Sequence, residues 1–524
     1  MNNDTLLLID LNKNFNLNEK NKQYIYLNNG KINLRNCKQI KLKNFSYLKK
    51  DFQKKMINEF KKIIYRDPKN KFFLSEMEFF NLRNDKSKFP DRILNFLIIK
   101  KIFYLKNIKK IKIISDNKST LKVFDNFNLK IEKKDLSKFE FKALFPHLKI
   151  IKFLIKTLFL VIFLKFKKKQ KIKCTKKNNF YFSIYPNKYS YGKTNFLNKN
   201  ENFCNFLLTD ETHLNFDLKK LIYYANLTHN KNMINIEGYI NIFDIFHLLL
   251  KHFFNIFFFK FDHLININLE GLNCKKELEN IFVSSYINRS KLDIYSKAIP
   301  LFLRNNNVSS INLYLFEFSF GFYLIRKIKN FSNKIKISGF QHGIYSDNLM
   351  WLDLINVLKH KRIYAPDNIF CLNKYSLKNF RSKFKDIKIS IIKNSIIKNK
   401  EKRDFINEIR TTNKSNKILV LTGLHDIKDL YFYVKNILTL DKKNIYYFKL
   451  HPKNKFLFYE EKNIKKIIIF KNINFSNIII SQASSLPYDF LNLNRNFSVV
   501  DFDYKQNYIS NLLNRNKRIK ILNN

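Results

Sequence analysis

Between residues 311 and 502, short apolar runs alternate with stretches of helical period, and this alternation limits the fold more than any other feature of the chain. INLYLFE (311–317), KIKISGF (334–340), KILVLTG (417–423), NIYYFKLHP (444–452), KIIIF (466–470), NIIISQASS (477–485) and NFSVVDF (496–502) read as strands. FSFGFYLIRKIKNF (318–331), DLYFYVKNIL (429–438) and LPYDFL (486–491) read as helices between them. Strands separated by helices pair in parallel, because a parallel pair needs a crossover long enough to hold a helix. Earlier in the chain LLLIDL (5–10) and KKIKIIS (109–115) extend the pattern, the second followed by a polar helix start at Asp116. The expected fold is α/β, with two Rossmann-like domains facing a cleft and apolar helical insertions in the N-terminal half. Its predicted divisions are an N-terminal domain over 1–375, a Lys/Asn-rich linker over 376–416, a C-terminal domain over 417–505 and a basic tail over 506–524.

The net charge of +56 calls for an anionic partner, nucleic acid or a membrane surface. The lysines run along the whole chain without gathering into one stripe, and no zinc-finger or RNA-binding motif accompanies them, so no nucleic-acid partner is expected. Part of the charge reflects an AT-rich codon bias, visible in the abundance of Lys, Asn, Ile and Phe. Peripheral contact with an anionic inner membrane surface stays open, since each nearby Lys gains about 1 kcal/mol there. Two intensely apolar segments, 149–166 and 241–260, bear on it. Lys156 splits the first; Asp244, His247, Lys251 and His252 interrupt the second. Buried core helices and helices lying in the membrane interface both fit; spans fit less well. Five widely spaced cysteines without a CxxC fit a reducing compartment, and the N-terminus carries no pattern of a secretory signal, so a cytoplasmic setting is expected.

Gly and Pro number 8 each in 524 residues, so those present tend to mark backbone positions only they can fill. Gly339, Gly343, Gly423, Pro366, Pro452 and Pro487 all lie near predicted strand ends. In KLHP (449–452), Lys449 and His451 share one side of a strand that Pro452 ends, which suits an anion grip or an exposed strand end. In SQASSLPYDFL (481–491), Ser484 and Ser485 precede a helix start, where amides, hydroxyls and the helix dipole favour phosphate, or where one serine simply caps the helix. Asp489 in the first turn could bind ribose hydroxyls or favour the dipole.

An HP motif followed some thirty residues later by strand–SS–helix resembles the C-terminal half of GT-B glycosyltransferases. Bacterial sialyltransferases, β-Kdo transferases of capsule export and CDP-glycerol polymerases share that pair. YLFE (314–317) resembles a Tyr-x-x-Glu element, and GFQHG (339–343) resembles a Gln-His-Gly motif of capsule and surface-carbohydrate transferases. The resemblance covers 310–500 and implies that His451, Pro452, Ser484 and Ser485 hold the donor phosphate, with Lys449, Asp489 and Gly423 beside them. Sugar transfer needs a base for the acceptor hydroxyl, and Glu317 and His342 are the candidates for it or its orienting partner. A capping or ribose-binding role for Glu317 and a structural one for His342 are the alternatives. Gln341, Gly343, Asp347 and His425 are further cleft candidates, His425 fitting a surface loop equally well. The family's element continues differently from the EFSFGF found here, and no acidic pair marks the base. The activity implied is inverting, metal-independent transfer of a sugar to a glycan or lipid-linked acceptor of capsule, O-antigen or lipopolysaccharide. The donor is a nucleotide-sugar, a CMP-linked one being an option; it is a substrate, and no cofactor is expected. DFD (501–503) follows the last predicted strand and reads as solvated acids, not a metal motif. A CDP-glycerol-type polyol phosphotransferase, a sugar-nucleotide epimerase and a non-catalytic membrane-peripheral scaffold are the alternatives.

Overall fold

The computed structural model describes residues 4–27, 32–40, 42, 45, 48–66, 89–137, 145–167, 179–184, 202–208, 217–229, 233–258, 268–314, 316, 319–341, 363–372, 374–392, 404–423, 426–440, 442–451, 456–468, 473–500, 502 and 517–522. The chain divides into two compact units. One comprises Met1–His342, Met350–Cys371 and Leu377–Ser390; the other comprises Gly343–Leu349, Leu372–Ser376 and Ile391–Asn524.

The first unit holds two parallel sheets where the sequence suggested one. Strands β1 (Thr5–Asp10), β2 (Gln23–Tyr26), β3 (Lys38–Gln39), β4 (Lys110–Ser115) and β5 (Lys130–Asp135) form the first, in the order β3-β2-β1-β4-β5. All its pairs are parallel. Every residue of β1 is buried, as expected of a central strand covered on both faces. Helices α1 (Lys49–Arg66), α2 (Phe89–Leu105) and α3 (Lys118–Lys122) belong to this half, α3 capped by the Asn117 side chain at Ser119.

The second sheet contains β6 (Asn179–Ile184), β7 (Asn202–Phe206), β8 (Ile234–Asn235), β9 (Ser310–Tyr314), β10 (Lys336–Phe340), β11 (Asn368–Cys371) and β12 (Lys388–Ile391). Their order is β8-β7-β6-β9-β10-β11-β12. The expected βαβ unit is present: β9, helix α8 (Ser319–Phe331) and β10 pair in parallel with Ser310 opposite Lys336. The apolar segments are helices α4 (Phe145–Phe166) and α6 (Ile242–Phe258), packed on each other, with α5 (Leu218–His229) against α4. Among the described residues no helix is long and apolar enough to cross a membrane.

A 32-residue helix, α7 (Lys275–Asn306), joins the two halves of this unit. At that length it is about 48 Å long. It packs on α2 and α3 at one end and on α4 and α8 along the rest. Its Glu277 enters a charge cluster at the tip of β1. The Arg92 guanidinium lies 3.1 Å from fully buried Asp10 and 2.6 Å from Glu277, while Thr120 donates to Asp10 and Ser119 donates to Glu277 at 2.6 Å. Burial opposes the charge on Arg92, yet the two carboxylates overcome it and raise the guanidinium pKa. Removing one member of such a cluster strands the others in a dry site, at a cost of about 3–5 kcal/mol.

The second unit is built on a six-stranded parallel sheet: β13 (Lys417–Leu421), β14 (Ile445–Lys449), β15 (Ile464–Lys466), β16 (Asn477–Ile480), β17 (Phe497–Val500) and β18 (Ile519–Leu522). The order is β15-β14-β13-β16-β17-β18. Ile418 and Val420 of β13 pack beneath helix α10 (Ile427–Leu440), with Leu430 and Val434. Leu419 and Leu421 face the other core, with Phe490 and Leu491 of α11 (Leu486–Asn492). Strands covered on both faces are apolar at successive positions, which is why they were visible as continuous runs.

Three boundaries shift. The stretch 376–416, expected as a linker, carries most of helix α9 (Lys374–Lys383) and the edge strand β12. The basic tail 506–524 supplies β18, an edge strand in which Ile519 is buried and Lys520 is exposed. The strand read at 466–470 ends at Lys466, having begun at Ile464.

Candidate functional site

In the second unit, counting strands in chain order, the sheet runs 3-2-1-4-5-6. The winding reverses between the first and fourth strands, β13 and β16, and open α/β sheets bind ligands outside the carboxyl ends at such a reversal. The tips stand level there: Leu421 pairs with Lys449 of β14 on one side and Ile480 of β16 on the other. The segments that follow, Thr422–Gly423, Leu450–His451 and Ser481–Ser485, therefore emerge side by side.

Their bonds fix them to one another. Thr422 N–H donates to the Lys449 carbonyl at 3.1 Å, and the Thr422 hydroxyl accepts from His451 N–H at 3.0 Å. On the other side buried Asp426, just before α10, accepts from Gly423 N–H at 3.2 Å and from the Ser481 hydroxyl. Burial pushes the Asp426 carboxyl pKa up, against the two hydrogen bonds that lower it. A Cβ on Gly423 would lie 2.5 Å from Ser481 Oγ, 2.9 Å from Asp426 Oδ1 and 3.3 Å from the Ala483 carbonyl, so glycine is required by close approach. Gln482, fully buried, anchors the same turn to the end of β17: it donates to the Phe502 carbonyl at 3.1 Å and accepts from Phe502 N–H at 2.9 Å.

The turn that Asp426 and Gln482 hold presents Ser484 and Ser485, both half-buried. Ser484 Oγ accepts from Leu486 N–H at 3.2 Å, so this hydroxyl does cap the chain entering α11. Ser485 occupies the N-cap position, yet its side chain makes no capping bond. Fewer amides are offered at the helix start than the sequence suggested. Leu486 N–H is taken by Ser484, Pro487 has none, and Tyr488 N–H returns to the Ser485 carbonyl at 3.2 Å. The side chains brought to this edge are His451 and the Ser485 hydroxyl, beside the bonded backbone of Thr422 and Gly423.

The other expected residues are placed as follows. Lys449 is half-buried and its ammonium donates to the Ile468 carbonyl, on the β15 side of the sheet. Asp489 is half-buried in α11. Gln341 belongs to the first unit, buried just after β10, its N–H donating to the Phe370 carbonyl at 3.0 Å. Glu317, His342, Gly343, Asp347, His425 and Pro452 lie outside the described residues. Gly339 has a packing reason: its Cβ would meet the Phe316 ring at 2.7 Å and Pro366 at 2.8 Å.

Sequence reading passed over Thr422, Asp426, Ser481 and Gln482. Ser481 and Asp426 are 55 residues apart, and no local spacing announces that they bond. The one local signal was Gly423, a scarce residue directly after an apolar strand.

The first sheet has an equivalent reversal between β1 and β4, but it is acidic and occupied by its own bonds. Asp10 is held by Arg92 and Thr120, Ser115 Oγ donates to the Asp10 carbonyl at 3.0 Å, and Asp116 accepts from Asn12 at 2.9 Å. A phosphate gains nothing there. Comparisons of the chain with known protein families, with curated proteins and with solved structures found no match.

Proposed function

We propose that the chain is a glycosyltransferase of the GT-B kind that takes a sugar from a nucleotide donor to a surface glycan or lipid-linked acceptor. The donor phosphate sits at the carboxyl edge of the β13/β16 pair. The observation that carries this reading is the level alignment of His451, Gly423 and the Ser481–Ser485 turn at the reversal point of a parallel sheet. His451 and Ser485 hydrogen-bond the phosphate oxygens, while Asp426 and Gln482 keep the turn from moving.

Fixed donors of this kind favour the charge that grows on the leaving phosphate as the glycosidic bond breaks. The acceptor hydroxyl needs a base within hydrogen-bond reach; the sequence offers Glu317 and His342 for that role. A nucleotide bound at a hundred times its dissociation constant stabilises the fold by about 2.7 kcal/mol. Thermal melting with CMP, CDP, UDP and GDP is therefore expected to rise with at least one of them, and His451→Ala or Ser485→Ala to lose the rise. Glu317→Gln is expected to keep the rise and stop turnover. No rise with any nucleotide excludes the reading. Release of a nucleoside monophosphate with the polyol phosphate joined to the acceptor hydroxyl as a phosphodiester, instead of formation of a glycoside, replaces it with a polyol phosphotransferase.

A further inference from the structure

We propose that the outer faces of α4 and α6 form a docking surface for an anionic lipid bilayer. On α6 the outward residues are Phe243, Phe246, Leu250, Phe253 and Phe254, spaced three and four apart and between 48% and 78% exposed. Of its described side chains only Ile245 and His252 are fully buried. On α4 the positions Leu148, Lys152, Ile155 and Phe159 follow one face at the same spacing, and all four are exposed. Its opposite face, Ile150, Phe153, Leu154 and Leu160, is buried. Two mutually packed helices thus turn nine large apolar side chains outward once Phe166 is counted, of which Phe243 and Phe166 are 78% and 85% exposed.

Water does not tolerate a patch of this kind without cause, since surfaces of soluble chains keep contiguous apolar areas small. Charge selects the occupant. Helix α4 carries four lysines, Lys149, Lys152, Lys156 and Lys165, and no acidic residue. Lys152 stands on the exposed stripe itself, and exposed Lys251 flanks the stripe of α6. Aromatic and aliphatic residues on one face with lysines beside them describe a helix lying in the headgroup region of anionic lipid. Neither helix is built to span. A protein partner for the same face would need acidic groups opposite these lysines, and the chain as a whole, at +56, repels a second copy of itself.

The proposal is independent of nucleotide chemistry and is read without nucleotide. Full-length protein is mixed with vesicles of phosphatidylcholine alone, or of phosphatidylcholine with phosphatidylglycerol, and sedimented. Binding to the anionic vesicles is expected, with much less to the neutral ones, and it weakens as salt shortens the screening length. Removing one inserted Phe forfeits about tenfold in partitioning. Phe253→Ser with Phe254→Ser should therefore abolish sedimentation, and Lys149→Glu with Lys152→Glu should weaken it on anionic vesicles only. These side chains are exposed, so the melting temperature should stay near that of the parent. Failure of the parent protein to sediment with anionic vesicles overturns the proposal, as does undiminished binding of the double-serine variant. Light scattering that shows a dimer which the double-serine variant dissolves would assign the face to a second copy and overturn it equally.

Discussion

A methyl group added at Gly423 would fall inside van der Waals contact of both the Ser481 hydroxyl and the Asp426 carboxylate. Gly423→Ala should therefore separate the two strand tips that Asp426 joins, destabilising the second unit by about 1–3 kcal/mol and removing the nucleotide-induced rise in melting. Urea unfolding with and without nucleotide checks both parts. A variant of unchanged stability would mean that Asp426 does not hold these tips together. Gly339 is a glycine of a different kind, pressed by Phe316 and Pro366 within the first unit. Scarcity of glycine pointed to both positions, but only coordinates separate a packing requirement from a site requirement. The same limit applies to the serines. That Ser484 or Ser485 would cap the helix was legible from position; which of them keeps a spare hydroxyl depended on the turn that Gln482 and Asp426 impose.

The seam between α4 and α6 contains His147 and His252, 2% and 3% exposed, with ring centroids 6.0 Å apart. Burial lowers the His147 pKa; burial, then Lys251 and His147, bring that of His252 down to about 4. A histidine depressed on folding adds stability that is complete above its unfolded pKa of about 6.5 and is lost as pH falls toward the folded value. The loss by pH 4 amounts to roughly 3 kcal/mol for His252. Urea midpoints should drop across that window, and His252→Leu should flatten the drop; an unchanged slope would show the ring already charged in the fold.

Elements were legible where both faces are covered. The strands β1, β13 and β16 are runs of buried aliphatics, β4 buries Ile111, Ile113 and Ile114 with two half-buried lysines among them, and all four were found from these residues. Edge strands were not: β3 is Lys-Gln with both residues exposed, and β18 is only four residues long, Ile-Lys-Ile-Leu, with Ile519 alone buried. The second sheet went unrecognised as a separate one because β6 and β7 are aromatic and Asn-rich, NFYFSI and NFCNF, without the aliphatic runs that marked the others.

At the scale of the molecule, three sheets are wound alike, each growing outward from its first strand, with the fourth added on the opposite side. The winding gives every sheet a reversal point, and chemistry distinguishes them. The first is lined by Asp10 and Asp116; the third by histidine and hydroxyls above a glycine. On the proposed reading the phosphate-bearing donor belongs to the third. Hydrogen–deuterium exchange with and without saturating nucleotide tests this most directly, because it locates the ligand without assuming a reaction. Protection is expected in 422–426, 450–451 and 481–486, with the tip of β1 unchanged. Protection centred on Asp10 and Ser115, or none in the three segments, would contradict the account.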